Sequence, residues 1–252
     1  MLNQLKVYRQ GLLASLLLCC VFSVLAESTA TQATPRIKEH SWMSVAQWQQ
    51  KHQAIKTQAE TAGDIDVLFV GDSITEGWQW GDNQKVFDKH FSKLRTLNMG
   101  IGGDQTQEVL WRLQDMASIT LHPKVITLLI GVNNFGHSNH SAEEVFSGVK
   151  AVVETLSKNY PQAQILINGI LPYDASHSSA NRLRVRNTNT QIAVLAEQPN
   201  IHFVDFGGAF LNEEGDISAE IMADFLHPTA LGYQHFAEQL LPSVQQLLRA
   251  AK

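Results

Sequence analysis

Cysteine is almost missing from this chain. Its 252 residues hold two, Cys19 and Cys20, adjacent within one apolar run. Lys6 and Arg9 precede that run, Gly11 to Ala26, and it closes on Val24-Leu25-Ala26, with small residues where a signal peptidase reads. The run falls short of the roughly 20 apolar residues a bilayer-spanning helix needs. Residues 1–26 therefore have the layout of a secretory signal cut after Ala26, which predicts a secreted or periplasmic protein with no stable membrane insertion afterwards. Leu18, ahead of Cys19, is too bulky for a lipoprotein cleavage site. Cleavage removes both thiols, and so excludes disulfides, a cysteine nucleophile and thiolate metal ligands. Positive charge is also short: 19 Lys and Arg stand against 24 Asp and Glu, a net charge of -5. That balance argues against nucleic acid or anionic membrane as a partner. There is no Walker lysine and no complete dinucleotide fingerprint.

What remains has ordinary globular composition, 44% hydrophobic and 17% charged, enough for one domain with a sizeable core. Residues 27–40 are polar and contain Pro35, and they predict a flexible tether. The domain then occupies 41–252. A helical pattern covers Ser41 to Ala62, with Trp42, Met43, Val45, Trp48 and Ile55 as its apolar positions. Five strand-like runs follow: Val67–Val70, Leu94–Met99, Val125–Ile130, Ile165–Leu171 and Ile201–Asp205. Val67 to Val70 is continuously apolar, as a parallel strand buried on both faces must be. Helical patterns alternate with the strands. One opens at Asp104 as N-cap with Gln107 three residues on, another at the capping box Ser141 to Glu144, and a third covers Asn181 to Glu197. The last runs from Thr229 to Ala250, with Pro242 predicted to kink it or start a new segment. Alternation of this kind predicts an α/β fold, a flavodoxin-like three-layer α/β/α sandwich with a five-stranded parallel sheet in the order 2-1-3-4-5.

Polar residues gather after the strands. Gly71-Asp72-Ser73 follows the first, Gly100-Ile101-Gly102-Gly103-Asp104 the second, Gly131-Val132-Asn133-Asn134 the third, and Asp224-Phe225-Leu226-His227 lies beyond the fifth. In a parallel sheet these loops share one edge, where ligands bind. Ser73 is placed to attack an ester carbonyl if a base takes its proton, and His227 is the candidate base. Asp224 can hold the second imidazole nitrogen and fix its tautomer. The backbone N–H groups of Ser73 and Gly103 and the side chain of Asn133 can donate to a tetrahedral oxyanion. Each residue also has a plainer reading. Asp72 and Ser73 could cap a helix, the glycines could permit a turn, and Asn133 and Asn134 could be turn residues. A glycine loop between strand and helix could instead cradle a phosphate in a binding protein. The coincidence of all four loops at one sheet edge favours catalysis.

These blocks resemble the SGNH/GDSL hydrolases. Leu68 to Ser73, Gly100 to Thr106, Val109-Leu110-Trp111-Arg112-Leu113, Gly131 to Asn134, Asp224 to His227 and Trp42-Met43-Ser44 are most similar to the catalytic alpha subunits of platelet-activating-factor acetylhydrolase and their bacterial relatives. The resemblance implies a metal-free serine esterase of the SGNH hydrolase fold without a cofactor. It implies Ser73, Asp224 and His227 as triad and Ser73, Gly103 and Asn133 as oxyanion hole. Asn134 stands where many superfamily members carry Asp, Val132 where the subgroup typically has Thr, and residues 135–140 depart from the pattern.

Ile74, Val132 and Leu226 neighbour catalytic positions and are the expected walls of the acyl pocket, favouring a short chain such as acetyl. The substrate is then a small ester or an O-acetylated glycan. Trp78 and Trp80 could form a sugar-stacking wall or could simply cover the sheet. A non-catalytic glycan-binding scaffold is the competing class. His137 and His140 have a metal-like spacing, but Glu143 and Glu144 beside them look like helix N-terminal charges rather than ligands.

Overall fold

The structure, a computed structural model, describes residues 28–250. The stretch expected to be a signal, and with it both cysteines, lies outside the described residues. Five parallel strands form one sheet: β1 Gly63–Gly71, β2 Thr96–Gly100, β3 Leu121–Leu129, β4 Gln164–Asn168 and β5 Ile201–Val204, in the order β2-β1-β3-β4-β5. This is the expected flavodoxin-like order. β1 and β3 share the longest ladder, from Gly63 opposite Leu121 to Gly71 opposite Leu129.

Side-chain alternation sends each strand's apolar residues to two separate cores. Leu68, Val70, Ile126, Leu128, Ile165 and Ile167 face one side. They pack there under α1 Val45–Ala62, α4 Thr106–Asp115, α6 Ala142–Asn159 and α7 Ala180–Ala193. Val67, Phe69, Val125, Leu129 and Leu166 face the other, under α3 Asp82–Phe91 and α8 Ala230–Ala250. A strand covered on both faces needs apolar residues at every position, which is why β1 and β3 lose their alternation toward their C-terminal ends. Each fully buried aliphatic side chain stabilises this arrangement by about 1.5–3 kcal/mol relative to exposure.

Three expectations need correction. Residues 28–40 are no loose tether. Ala30 is fully buried, its carbonyl accepts the Thr106 hydroxyl at 2.7 Å, and the Thr34 amide donates to the Gln107 carbonyl at 3.1 Å. Ser28 donates to Glu144 at 2.9 Å. The segment is a strap across α4 and α6, and it lies close because Gly148 has no Cβ to meet the Ala30 carbonyl and the Thr106 side chain. Asp104 does not cap α4. That position is Gln105, whose backbone amide donates to the Glu108 carboxylate at 2.9 Å, while Asp104 is drawn inward by two arginines. Finally, of the two outcomes expected at Pro242 the new segment does not occur, because α8 runs through it as one helix. The box at Ser141 forms as expected, its hydroxyl accepting the Glu144 amide at 3.2 Å.

Candidate active site

The C-terminal ends of β1, β2 and β3 meet the loop before α8 around a cavity of about 440 Å³. Ser73 is the first residue of α2 Ser73–Glu76, directly after β1. Asp72 caps this short helix, its Oδ1 accepting the Ile74 amide at 3.0 Å. The Asp72 carboxyl is buried, and that burial, with the nearby Asp104 charge, pushes its pKa up to about 7. The cap reading and the nucleophile reading of this stretch are therefore compatible: Asp72 caps, and Ser73 is presented.

His227 Nε2 lies 2.8 Å from Ser73 Oγ, and His227 Nδ1 lies 2.7 Å from Asp224 Oδ2. The Asp224 carboxylate also accepts the amides of Leu226 and His227, at 3.1 and 2.8 Å. Partial burial works to raise its pKa, but the hydrogen bonds from the His227 ring and these amides outweigh it and hold the carboxyl below its ordinary value. Phe225, between them, has φ of +59°, a left-handed conformation that turns the chain sharply enough for Asp224 to reach His227. The Phe225 carbonyl is anchored by the Asp174 amide at 3.0 Å.

Gly103 and Asn133 line the same cavity as Ser73 and His227. Gly103 has φ of +75°, and a Cβ there would sit 2.3 Å from the Trp42 ring, so glycine is required twice over. Asn133, near the start of α5 Val132–Ser138, donates its side-chain amide to the Asp104 carbonyl at 3.0 Å. Asp104 is fully buried. Its Oδ1 accepts Trp48 Nε1 at 2.7 Å and Arg36 at 3.0 Å, and its Oδ2 accepts Arg112 Nε at 2.8 Å. Arg112 also donates to the Met99 carbonyl at 2.8 Å, tying the β2 end to the same group.

Asn134 is more than a turn residue. Its Oδ1 accepts the Thr106 amide at 3.0 Å, which fixes the orientation of the side chain and directs Nδ2 to His140 Nδ1 at 3.1 Å. The His140 proton is then on Nε2, 2.8 Å from Thr29 Oγ1. Burial holds the His140 pKa below the usual histidine value, consistent with a neutral ring. Both ring nitrogens of His140 are thus engaged by protein groups, and His137 instead packs against His40 in a tilted arrangement with ring centres 4.7 Å apart.

The structure separates the residues expected to bind substrate. Leu226 lines the cavity. Ile74 and Val132 do not: Ile74 is 2% exposed and packs in the core beneath α8, and Val132 is buried in the opposite core. Both follow a strand end into a helix, and the first helical turn swings their apolar side chains back over the sheet. The two tryptophans that follow Ser73 also part company. Trp78 is in the core against Phe91, Tyr233 and Phe236. Trp80 is 41% exposed on the cavity wall, with its ring 5.9 Å from that of His227. Sequence reasoning missed Trp42, Met43, Lys51, Glu76 and His137 as cavity residues. Glu76 pairs with Lys51 and accepts the Gly102 amide at 2.7 Å. Nothing in the spacing of Lys51 and Glu76 signals that pairing, which joins separate helices. Burial chiefly, with the positive charges around it, pushes the His137 pKa down to about 4.

Residues 69–235 match the GDSL-like Lipase/Acylhydrolase family, and the chain belongs to it. It is 39% identical over 186 residues to platelet-activating factor acetylhydrolase IB subunit alpha2 of Homo sapiens, covering 73% of this chain and 77% of that protein. Among solved structures, a GDSL-like lipase from Bacteroides thetaiotaomicron superposes with a TM-score of 0.63 at 18% identity, covering 77% of this chain and 97% of the other. An acetylxylan esterase from Geobacillus stearothermophilus superposes at 0.58 with 20% identity, covering 72% and 95%. The protein is a carboxylic ester hydrolase with the SGNH hydrolase fold.

Proposed function

We propose that the enzyme hydrolyses short-chain, chiefly acetyl, esters through an acyl-enzyme on Ser73. The observation that carries this is the continuous hydrogen-bonded path from Asp224 through His227 to Ser73 at the wall of an open cavity. His227 Nε2 takes the Ser73 proton as Oγ bonds to the ester carbonyl carbon. The carbonyl oxygen becomes an oxyanion, met by the Ser73 and Gly103 amides and the Asn133 side chain. Collapse of this adduct expels the alcohol, which leaves with the proton from His227. Water, deprotonated by the same imidazole, then attacks the acyl carbon and releases acid and Ser73. Asp224 holds the tautomer that leaves Nε2 free to accept. The preference for acetyl is supported by the acetylhydrolase relatives.

Trp80, exposed on the cavity wall, favours a sugar as the leaving alcohol, because flat aromatic faces stack on the apolar faces of pyranose rings. A fold-mate named an acetylxylan esterase is in keeping with that choice. The signal-like leader supports a secreted or periplasmic site of action. A cut after Ala26 would leave the strap, which engages the domain from Ser28 onward, intact.

Turnover of p-nitrophenyl acetate by the purified enzyme and its Ser73→Ala variant tests the catalytic reading. Loss of a triad member typically costs about three or more orders of magnitude, and activity retained in the variant would refute the assignment. Comparison of acetylated xylan, acetylated sialic acid and a lipid acetate tests the leaving group. Inactivity on every sugar would remove the carbohydrate reading.

A further inference from the structure

The strap over residues 28–40 lies outside the stretch that matches the family, yet it delivers a charged side chain to the back of the site. Arg36 is 2% exposed. Its Nη2 donates to the Gly102 carbonyl at 2.9 Å and to Asp104 Oδ1 at 3.0 Å. Its guanidinium carbon is 5.9 Å from the ring centre of Trp42 and 5.8 Å from that of Trp48, so the cation is held between two aromatic faces.

The Gly102 carbonyl and the Gly103 N–H belong to one peptide group. That group is planar, so a donor that fixes the carbonyl also fixes the direction of the N–H. Glycines on both sides leave this peptide otherwise easy to rotate. A charged donor on the carbonyl also polarises the amide and strengthens its N–H as a donor. On the preceding peptide, Glu76 accepts the Gly102 amide at 2.7 Å. The other partner of Arg36, Asp104, accepts the Asn133 side chain on its carbonyl at 3.0 Å. Arg36 therefore contacts the supports of both non-serine donors without lining the cavity itself.

We infer that Arg36 is a positioning residue for the oxyanion hole, acting through the Gly102–Gly103 peptide and through Asp104, and that the strap serves the site through this one side chain. This rests on the assignment of Gly103 and Asn133 as oxyanion donors. Removing Arg36 leaves the Asp104 carboxylate paired with Arg112 and Trp48, so the fold retains its buried ion pair.

The test uses the full domain with its strap, as wild type, Arg36→Gln, Arg36→Lys and Ser73→Ala. Lys38→Gln, at an exposed position on the same segment, serves as control. Two readouts are kcat and KM for p-nitrophenyl acetate, and inhibition by a trifluoromethyl ketone whose hemiketal oxygen occupies the hole. Arg36→Gln is expected to lower kcat about 30- to 300-fold, with KM within about threefold, and to weaken the ketone by a similar factor. Arg36→Lys is expected to lose less, about 5- to 20-fold, because an ammonium keeps the charge without the fork geometry. Added methylguanidine should raise the rate of the Gln variant, and Lys38→Gln should match wild type. Arg36→Gln with wild-type kcat, or with reduced kcat but unchanged ketone affinity, would overturn the inference. If circular dichroism shows that the Gln variant fails to fold, Arg36→Lys decides by the same two readouts: a joint fall supports the inference, and wild-type values for both overturn it. Ser73→Ala that keeps turnover would sink the esterase assignment. Ser73→Ala inactive beside fully active Arg36 variants would sink the role of Arg36 alone.

Discussion

The ring of Trp42 occupies the space that a side chain at residue 103 would need, 2.3 Å from the position of a Cβ on Gly103. The contact sets the shape of the cavity beside the proposed oxyanion hole and leaves no room for substitution. Gly103→Ala therefore meets two penalties: the clash, and a left-handed backbone that costs an alanine about 1–2 kcal/mol. The peptide is expected to rotate in response, taking its N–H out of line. Steady-state kinetics should show kcat reduced by about two orders of magnitude. A Gly103→Ala enzyme with wild-type kcat would show that this amide is not used.

Asn134 and His140 give a prediction about stability. An aspartate at 134 could still accept the Thr106 amide but could not donate to His140 Nδ1 or to Gln107 Oε1. Asn134→Asp should lose about 1–3 kcal/mol in urea denaturation, the cost of leaving buried acceptors unpaired. Equal midpoints for the two proteins would contradict the hydrogen-bond directions described above. The same residue shows where sequence reasoning stops. That Asn134 departs from a common aspartate is visible in the chain. Its partner His140 is not, because the direct bond between them depends on the Thr106 amide orienting the Asn134 side chain and on Thr29 engaging the other ring nitrogen.

Asp72 should leave a mark on the pH dependence of stability. Its folded pKa, about 7, is above the unfolded value of 3.8, so the folded state binds the proton more tightly. The associated stability is complete below the unfolded value and is lost as pH rises toward 7. Asp72→Asn, which keeps an acceptor for the Ile74 amide, removes that dependence. The unfolding free energy of wild type should fall relative to Asp72→Asn across this window. Parallel curves for the two proteins would show that Asp72 is not protonated in the fold.

The elements themselves were legible in the sequence. Continuous apolar runs announced β1 and β3, the Ser141 box announced α6, and four polar loops announced one sheet edge. Less legible was which way a side chain turns once its loop is placed. Ile74 and Val132 neighbour Ser73 and Asn133 in sequence but pack away from the cavity, whereas Trp42 and Lys51 are distant in sequence and line it. Polarity misled at residues 28–40, because a strap held by hydrogen bonds to α4 and α6 needs few apolar residues of its own. From the sequence Asp104 reads as a cap, because its two arginine partners, Arg36 and Arg112, come from opposite directions along the chain.

Trp80 bears on the leaving group. If a sugar ring stacks there, Trp80→Ala should raise KM for an acetylated xylo-oligosaccharide about 2- to 10-fold more than KM for p-nitrophenyl acetate, the range expected for loss of one aromatic contact. Equal changes for the two substrates would assign Trp80 to the general cavity wall.

The central claim is that one hydroxyl, activated by one imidazole, carries the acyl group. Fluorophosphonate labelling followed by peptide mass spectrometry addresses it directly. The adduct is expected on the peptide containing Ser73, at full occupancy in the wild type and strongly slowed in His227→Ala. Modification of a different residue, or continued ester turnover after Ser73 is blocked, would contradict it.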